Sequence, residues 1–209
     1  MKKASIVLIA LAMGFVSCKN EKKEAATTET EVTQTEKFVV KPEATSVKWT
    51  AYKTTDKIGV NGEFTTLNFD VKSGNSAQEA LNGLKFSIPV SSLFTNDATN
   101  TRDPKIKEAF FGSMLDTEVL KGSIAYTPDG KCSASLTMNG VTHSIPLDVT
   151  ITEERRVSLT GVMNLKDWNA LDALEALNKV CFDLHKGPDG VSKTWEEVAI
   201  EVNTYLRKQ

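Results

Sequence analysis

The side chains best suited to chemistry in this 209-residue sequence are two histidines, two glutamate pairs and three cysteines. His143 and His185 each stand alone, without the HxH or HExxH spacing that puts two imidazoles on one metal ion. Glu153-Glu154 and Glu196-Glu197 are adjacent pairs. On strands, neighbours point to opposite faces, so neither pair forms a carboxylate dyad by itself. Serines are plentiful, but no Gly-x-Ser-x-Gly elbow and no glycine-rich phosphate loop accompanies them. Arg102 and Asp103 allow two readings, a polar head-group clamp or a helix cap with a surface ion pair. Cys132 and Cys181 lack a CxxC partner; a disulfide and a pair of buried free thiols both remain open. No catalytic group, metal or cofactor is expected. A net charge of -2 and a pI near 5.8 give no support for nucleic-acid binding.

What remains is apolar content on one phase of alternating segments: Trp49, Phe86, Ile88, Leu136, Met138 and Leu147. These side chains either fill a core or line a cavity. A barrel of about eight strands is the size at which both occur.

The elements that position them read as strands. Val47, Trp49 and Ala51 alternate with polar neighbours, as do Leu84 to Val90, Leu120 to Tyr126 and Cys132 to Met138. Val141 to Ile151, Val157 to Leu165, Val180 to Leu184 and Val198 to Val202 do the same. A long series of such segments argues for an antiparallel sandwich or barrel. Asn139-Gly140 and Asp129-Gly130 are hairpin turns, and Glu153-Glu154 marks the next. Parity shifts between Gly59 and Val71, which a bulge near Thr65-Thr66 would reconcile. Asn100 to Gly112 predicts a short helix, with Asp103 as N-cap, Pro104 at the first position and Gly112 as its left-handed end. It closes on Phe110 and Phe111, one to anchor it and the other to face a ligand. A second helix is expected over Ala170 to Asn178, capped by Asn169, with Leu171, Leu174 and Leu177 on one side; it plugs one barrel end.

Lys2 and Lys3 precede an apolar run from Ser5 to Val16, too short to anchor a folded protein as a membrane span. Phe15-Val16-Ser17-Cys18 resembles a bacterial lipobox, with cleavage before Cys18 and lipid on Cys18. An ordinary secretory signal is the alternative. Lys19 to Lys37 has no aromatic residue and reads as a disordered tether. Lys19 in place of an aspartate points, by analogy with lipoprotein sorting, to the outer membrane.

Several stretches together resemble the YceI-like family of lipocalin-like polyisoprenoid-binding periplasmic proteins. They are Lys85 to Leu93, Asn100 to Gly112 with Arg102-Asp103 and Phe110-Phe111, Leu136 to Val149 with Asn139-Gly140-Val141-Thr142, and Trp195 to Val202. The resemblance runs from Thr45 to Leu206. It implies an all-β, eight-stranded antiparallel barrel with short helices closing the ends. The interior would hold an isoprenoid chain such as a quinone or polyprenyl lipid. Lys166-Asp167-Trp168 and the leucine-rich helix depart from the family pattern, and Trp168 joins the expected lining at that end. The organisation expected is a signal peptide over 1–17, a tether over 18–41 carrying the lipid on Cys18, and a barrel over 42–209. The expected protein is a non-enzymatic carrier on the outer membrane, facing the periplasm. Homodimerisation is left open. A solidly packed stress-related or surface interaction module is the alternative.

Overall fold

A computed structural model describes residues 36–209. The signal peptide, Cys18 and most of the expected tether lie outside the described residues. Eight strands of five or more residues carry the fold: β2 (Thr45–Lys53), β3 (Ile58–Phe64), β6 (Lys85–Pro89), β8 (Val119–Tyr126), β9 (Cys132–Met138), β10 (Val141–Thr152), β11 (Arg156–Asn164) and β12 (Thr194–Tyr205). Five two-residue strands supplement them: β1 (Phe38–Val39), β4 (Asn68–Phe69), β5 (Ser73–Gly74), β7 (Leu93–Phe94) and β13 (Arg207–Lys208). The main sheet is antiparallel, in the order β4-β6-β8-β9-β10-β11-β12-β2-β3-β7.

The ends of that order are neighbours in the chain. β7 follows β6 and pairs with β3 (Phe64 opposite Leu93), while β4 follows β3 and pairs with β6 (Phe69 opposite Phe86). Between the two pairings, Thr65 N–H donates to Ser92 O at 3.0 Å. The runs 58–69 and 85–94 are thus bonded on both sides of a kink, and this seam curls the sheet into an all-β barrel. The parity shift near Thr65 marks the kink. The extra residues lie on the facing run, in a 3₁₀ turn over Val90–Ser92.

The predicted hairpins form with the expected register. Met138 pairs with Val141, and Asn139 and Gly140 both take positive φ (52° and 69°), as a type I′ turn requires. Glu153 and Glu154 make a similar turn at φ 52° and 62° between β10 and β11, without glycine. A register shift also occurs in β12 between Thr194 and Val198, opposite β2.

Several local expectations are corrected. Helix α2 (Arg102–Lys105) begins before Asp103, whose carboxylate instead accepts from the Thr95 N–H and hydroxyl. The capping carboxylate is Asp97, which accepts from the Thr101 and Arg102 N–H groups. The chain continues as a π-type turn over Ile106–Phe110 and a 3₁₀ turn over Phe111–Ser113, so Gly112 ends nothing in the left-handed region. Helix α3 (Leu171–Val180) follows Ala170; Asn169 takes the left-handed conformation (φ 53°) before it and does not cap it. Val180, Phe182 and Leu184 belong to the end of α3 and a 3₁₀ turn, not to a strand, and all three are exposed.

Short elements close both ends. At one end stand α2 with its π-type turn, and α3. At the other, α1 (Ala77–Leu81) lies beside a small sheet in the order β13-β1-β5. Phe38, Val39 and Val40 are buried there, so the folded unit starts ahead of the expected boundary at 42, close to where the polar composition of Lys19 to Lys37 stops.

Gly122 on β8 shows how tightly the wall is built. A Cβ there would collide with the Ser135 carbonyl of β9 and with the Phe86 ring. Backbone cannot yield as a flexible side chain does. Gly122→Ala is expected to lower the unfolding free energy by about 1–3 kcal/mol, read by urea denaturation.

Candidate ligand-binding site

The inward faces of the strands enclose a cavity of about 210 Å³. Its wall is almost wholly carbon. Trp49, Phe86, Ile88, Leu136, Met138 and Leu147 all line it, as the alternation predicted. Each comes from the inward phase of its strand, so β2, β6, β9 and β10 place them without help from loops.

Phe110 and Phe111 also line the cavity, at the end that α2 and its π-type turn close. Phe110 is the more deeply buried of the two and Phe111 the more exposed. Their rings meet edge to face, with centroids 5.0 Å apart at 72°. On a regular α-helix neighbours diverge by roughly 100°. Here the backbone passes from π-type to 3₁₀ geometry between them, which lets both rings serve one surface. Phe111 additionally borders a shallow outer cleft with Pro89, Lys107 and Val119.

Trp168 is the exception. It is fully buried, yet it does not reach the cavity. Its indole N–H donates to Leu136 O at 2.9 Å, and the exposed His143 ring packs against it edge to face at 5.3 Å. Asn139 locks this region. Its amide donates to the Trp168 and Asn169 carbonyls at 3.0 Å, while its side-chain oxygen accepts from Leu115 N–H. One hairpin residue therefore makes a turn and holds a plug, which the turn motif alone does not announce. His143, placed on the inward phase by parity, emerges at the rim and stands 3.9 Å from Asp167.

Among the described residues that line the cavity, hydrogen-bonded side-chain groups sit near its two ends. At one end the Thr45 and Thr204 hydroxyls share a 2.7 Å hydrogen bond. At the other, the Thr194 hydroxyl donates to Asn178 Oδ1 at 2.7 Å, and His185 Nδ1 lies 2.7 Å from that same hydroxyl. Since the Thr194 proton is engaged, the tautomer with hydrogen on Nδ1 fits. Burial lowers the His185 pKa to about 4, assisted by the Lys53 and Lys105 charges, so the imidazole is neutral near pH 7. Strand parity missed this cluster because its members come from α3, a 3₁₀ turn and β12. Cys132 and Cys181 are both buried and free, which settles their pairing; burial pushes both thiols up. Among the described residues, no group of three or more His, Cys, Asp or Glu side chains gathers as a metal site would need.

The depressed His185 pKa has a consequence with a definite sign. Above pH 6.5 the imidazole is neutral in both folded and unfolded chains. As pH falls from 6.5 towards 4, the unfolded chain takes up a proton that the folded chain refuses, so stability is lost across that window, by up to about 3 kcal/mol. In urea unfolding at pH 7 and pH 4.5, His185→Gln should lose less stability between the two than wild type.

Three comparisons place the chain. The sequence profile of the YceI-like domain matches residues 38–206. No curated protein matches the chain in sequence. Among solved structures, a polyisoprenoid binding domain from Saccharophagus degradans implicated in plant cell wall breakdown is similar with a TM-score of 0.59 at 12% identity, over 84% of this chain and 99% of that one. Burkholderia cenocepacia BcnA is similar with a TM-score of 0.50 at 16% identity, over 80% and 98%. At these identities the structures speak to fold alone, and it is the profile match over most of the described chain that decides: this protein belongs to the YceI-like family.

Proposed function

We propose that this protein binds and carries a long apolar molecule of isoprenoid type, a quinone or polyprenyl lipid, inside its barrel. The observation that carries this reading is the hollow interior. Apolar side chains from the strands and both closing segments surround about 210 Å³ that they do not fill. Relative to a filled core, a void of that size costs on the order of 5 kcal/mol. A ligand recovers that cost, since each buried methylene contributes about 0.8 kcal/mol. A polyisoprenoid binding domain shares the fold, and this supports the ligand class. The alternative, a solidly packed interaction module, requires the interior to be filled.

We place the protein among binding proteins and not enzymes. The part-buried cluster near one end of the cavity, His185-Thr194-Asn178, makes its hydrogen bonds among its own members, with the Thr194 hydroxyl committed to Asn178 Oδ1. In this reading the lipobox-like Ser17-Cys18 supplies the anchor, and the protein works as an outer-membrane lipoprotein facing the periplasm. Exposed Val180, Phe182, Leu184 and Val191 surround the end closed by α3, which suits loading from an apolar phase.

The test is a titration of delipidated protein with a long-chain quinone, followed by quenching of tryptophan fluorescence. Wild type should bind saturably. Ala134→Phe, which grows a ring from the β9 wall into existing space, should weaken binding at least roughly tenfold while the fold persists. Equal affinity for both proteins, or no saturable uptake, overturns the reading.

A further inference from the structure

The three tryptophans of the chain differ in one respect. Trp168 Nε1–H donates to Leu136 O at 2.9 Å and Trp195 Nε1–H donates to Thr54 O at 2.8 Å. Trp49 Nε1–H is buried and meets no acceptor among the protein's groups. The residue is 9% exposed and its ring borders the cavity. The ring lies across Gly62, its partner on β3, where any Cβ would strike the six-membered ring; the position is built to receive it.

An unpaired indole N–H is costly in such a place. Buried donors are nearly always bonded, and an exception calls for a reason. Trp49 is the middle residue of the nine-residue β2. At about 3.3 Å per residue it stands roughly 13 Å along the strand from Thr45 at one end and Lys53 at the other. The end hydroxyls of Thr45, Thr204 and Thr194 already bond within the protein. Among the described residues one other buried side-chain group is unpaired, the Thr54 hydroxyl, and it does not line the cavity; of the lining residues Trp49 alone keeps a free donor, and it lies at mid-depth.

We propose that Trp49 Nε1–H is the recognition donor for an oxygen carried by the ligand, so that the physiological ligand is an apolar chain bearing a carbonyl, as in a ketone or quinone, and not a bare hydrocarbon. The proposal rests on the carrier reading and sharpens it. A hydrocarbon would leave the N–H unpaired and desolvated. A carbonyl oxygen accepts from it without adding a charge to a wall that has none. The bond fixes the depth of the oxygen and leaves the chain to extend along the cavity.

The test compares an isoprenoid methyl ketone with the hydrocarbon of equal chain length, using the delipidated full chain with ¹⁵N-labelled tryptophan. The ketone is expected to bind about five- to tenfold tighter. The Trp49 indole N–H resonance, assigned through its contact with Gly62, should move downfield with the ketone only, while those of Trp168 and Trp195 stay. In Trp49→Phe the affinity ratio should fall to about one. The wild-type ratio and resonance stand alone if that variant does not fold. Equal affinities, an unmoved Trp49 resonance, or a ratio preserved in Trp49→Phe overturns the assignment while leaving the carrier intact. Failure of both ligands to bind overturns the carrier reading and this inference together.

Discussion

The interior of this barrel is lined but not filled, and every other feature works within that constraint. A void of about 210 Å³ walled by leucine, isoleucine, valine and aromatic rings would cost a few kcal/mol in a protein of marginal stability. The wall must therefore be held open by something stronger than the tendency of apolar side chains to collapse. The seam supplies that rigidity. With the runs 58–69 and 85–94 bonded on both sides of their kink, the sheet has no free long edge along which to close in. Gly62 and Gly122 act in the same sense, since each lets a large aromatic ring lie flat along the wall.

The ends carry the burden that the walls do not. Asn139 binds a hairpin to the Trp168 plug, and Trp168 bonds back to the same strand through Leu136. The paired Phe110 and Phe111 rings cover the cavity beside α3, on a segment whose backbone passes through α, π-type and 3₁₀ geometry within a dozen residues. Such mixed geometry is common where a chain must aim side chains at a site. The segment is the least regular part of the enclosure. The opposite end, closed by α1 and the small sheet, is built from regular pairing and buried Phe38 to Val40.

The alternation of apolar and polar residues made most of the wall legible in advance. Side-chain parity places Trp49, Phe86, Ile88, Leu136, Met138 and Leu147 on one surface because successive strand residues face opposite ways. Asn-Gly fixed the β9–β10 register because few other pairs accept two positive φ angles. Parity fails where the chain is not a strand. It put Val180, Phe182 and Leu184 on a strand that is a helix end and turn. It says nothing of depth, so Trp168 read as lining when its ring is spent on plugging. Capping rules assume that the nearest carboxylate serves, whereas Asp97 reached the α2 N-terminus from upstream and released Asp103 to Thr95. Composition alone ended the tether at Lys37, and Phe38, Val39 and Val40 just beyond it join the small sheet. Whether the interior was hollow was not legible at all, because volume depends on how all the facing side chains meet.

The central claim is that the cavity exists to hold an isoprenoid-type chain. Native mass spectrometry of the protein recovered intact from its own cells tests it most directly. The account predicts a bound species that dissociates on activation and has the mass of a polyprenyl quinone or related lipid. Recovery of the bare polypeptide alone, in repeated preparations and without uptake of added quinone, would contradict it.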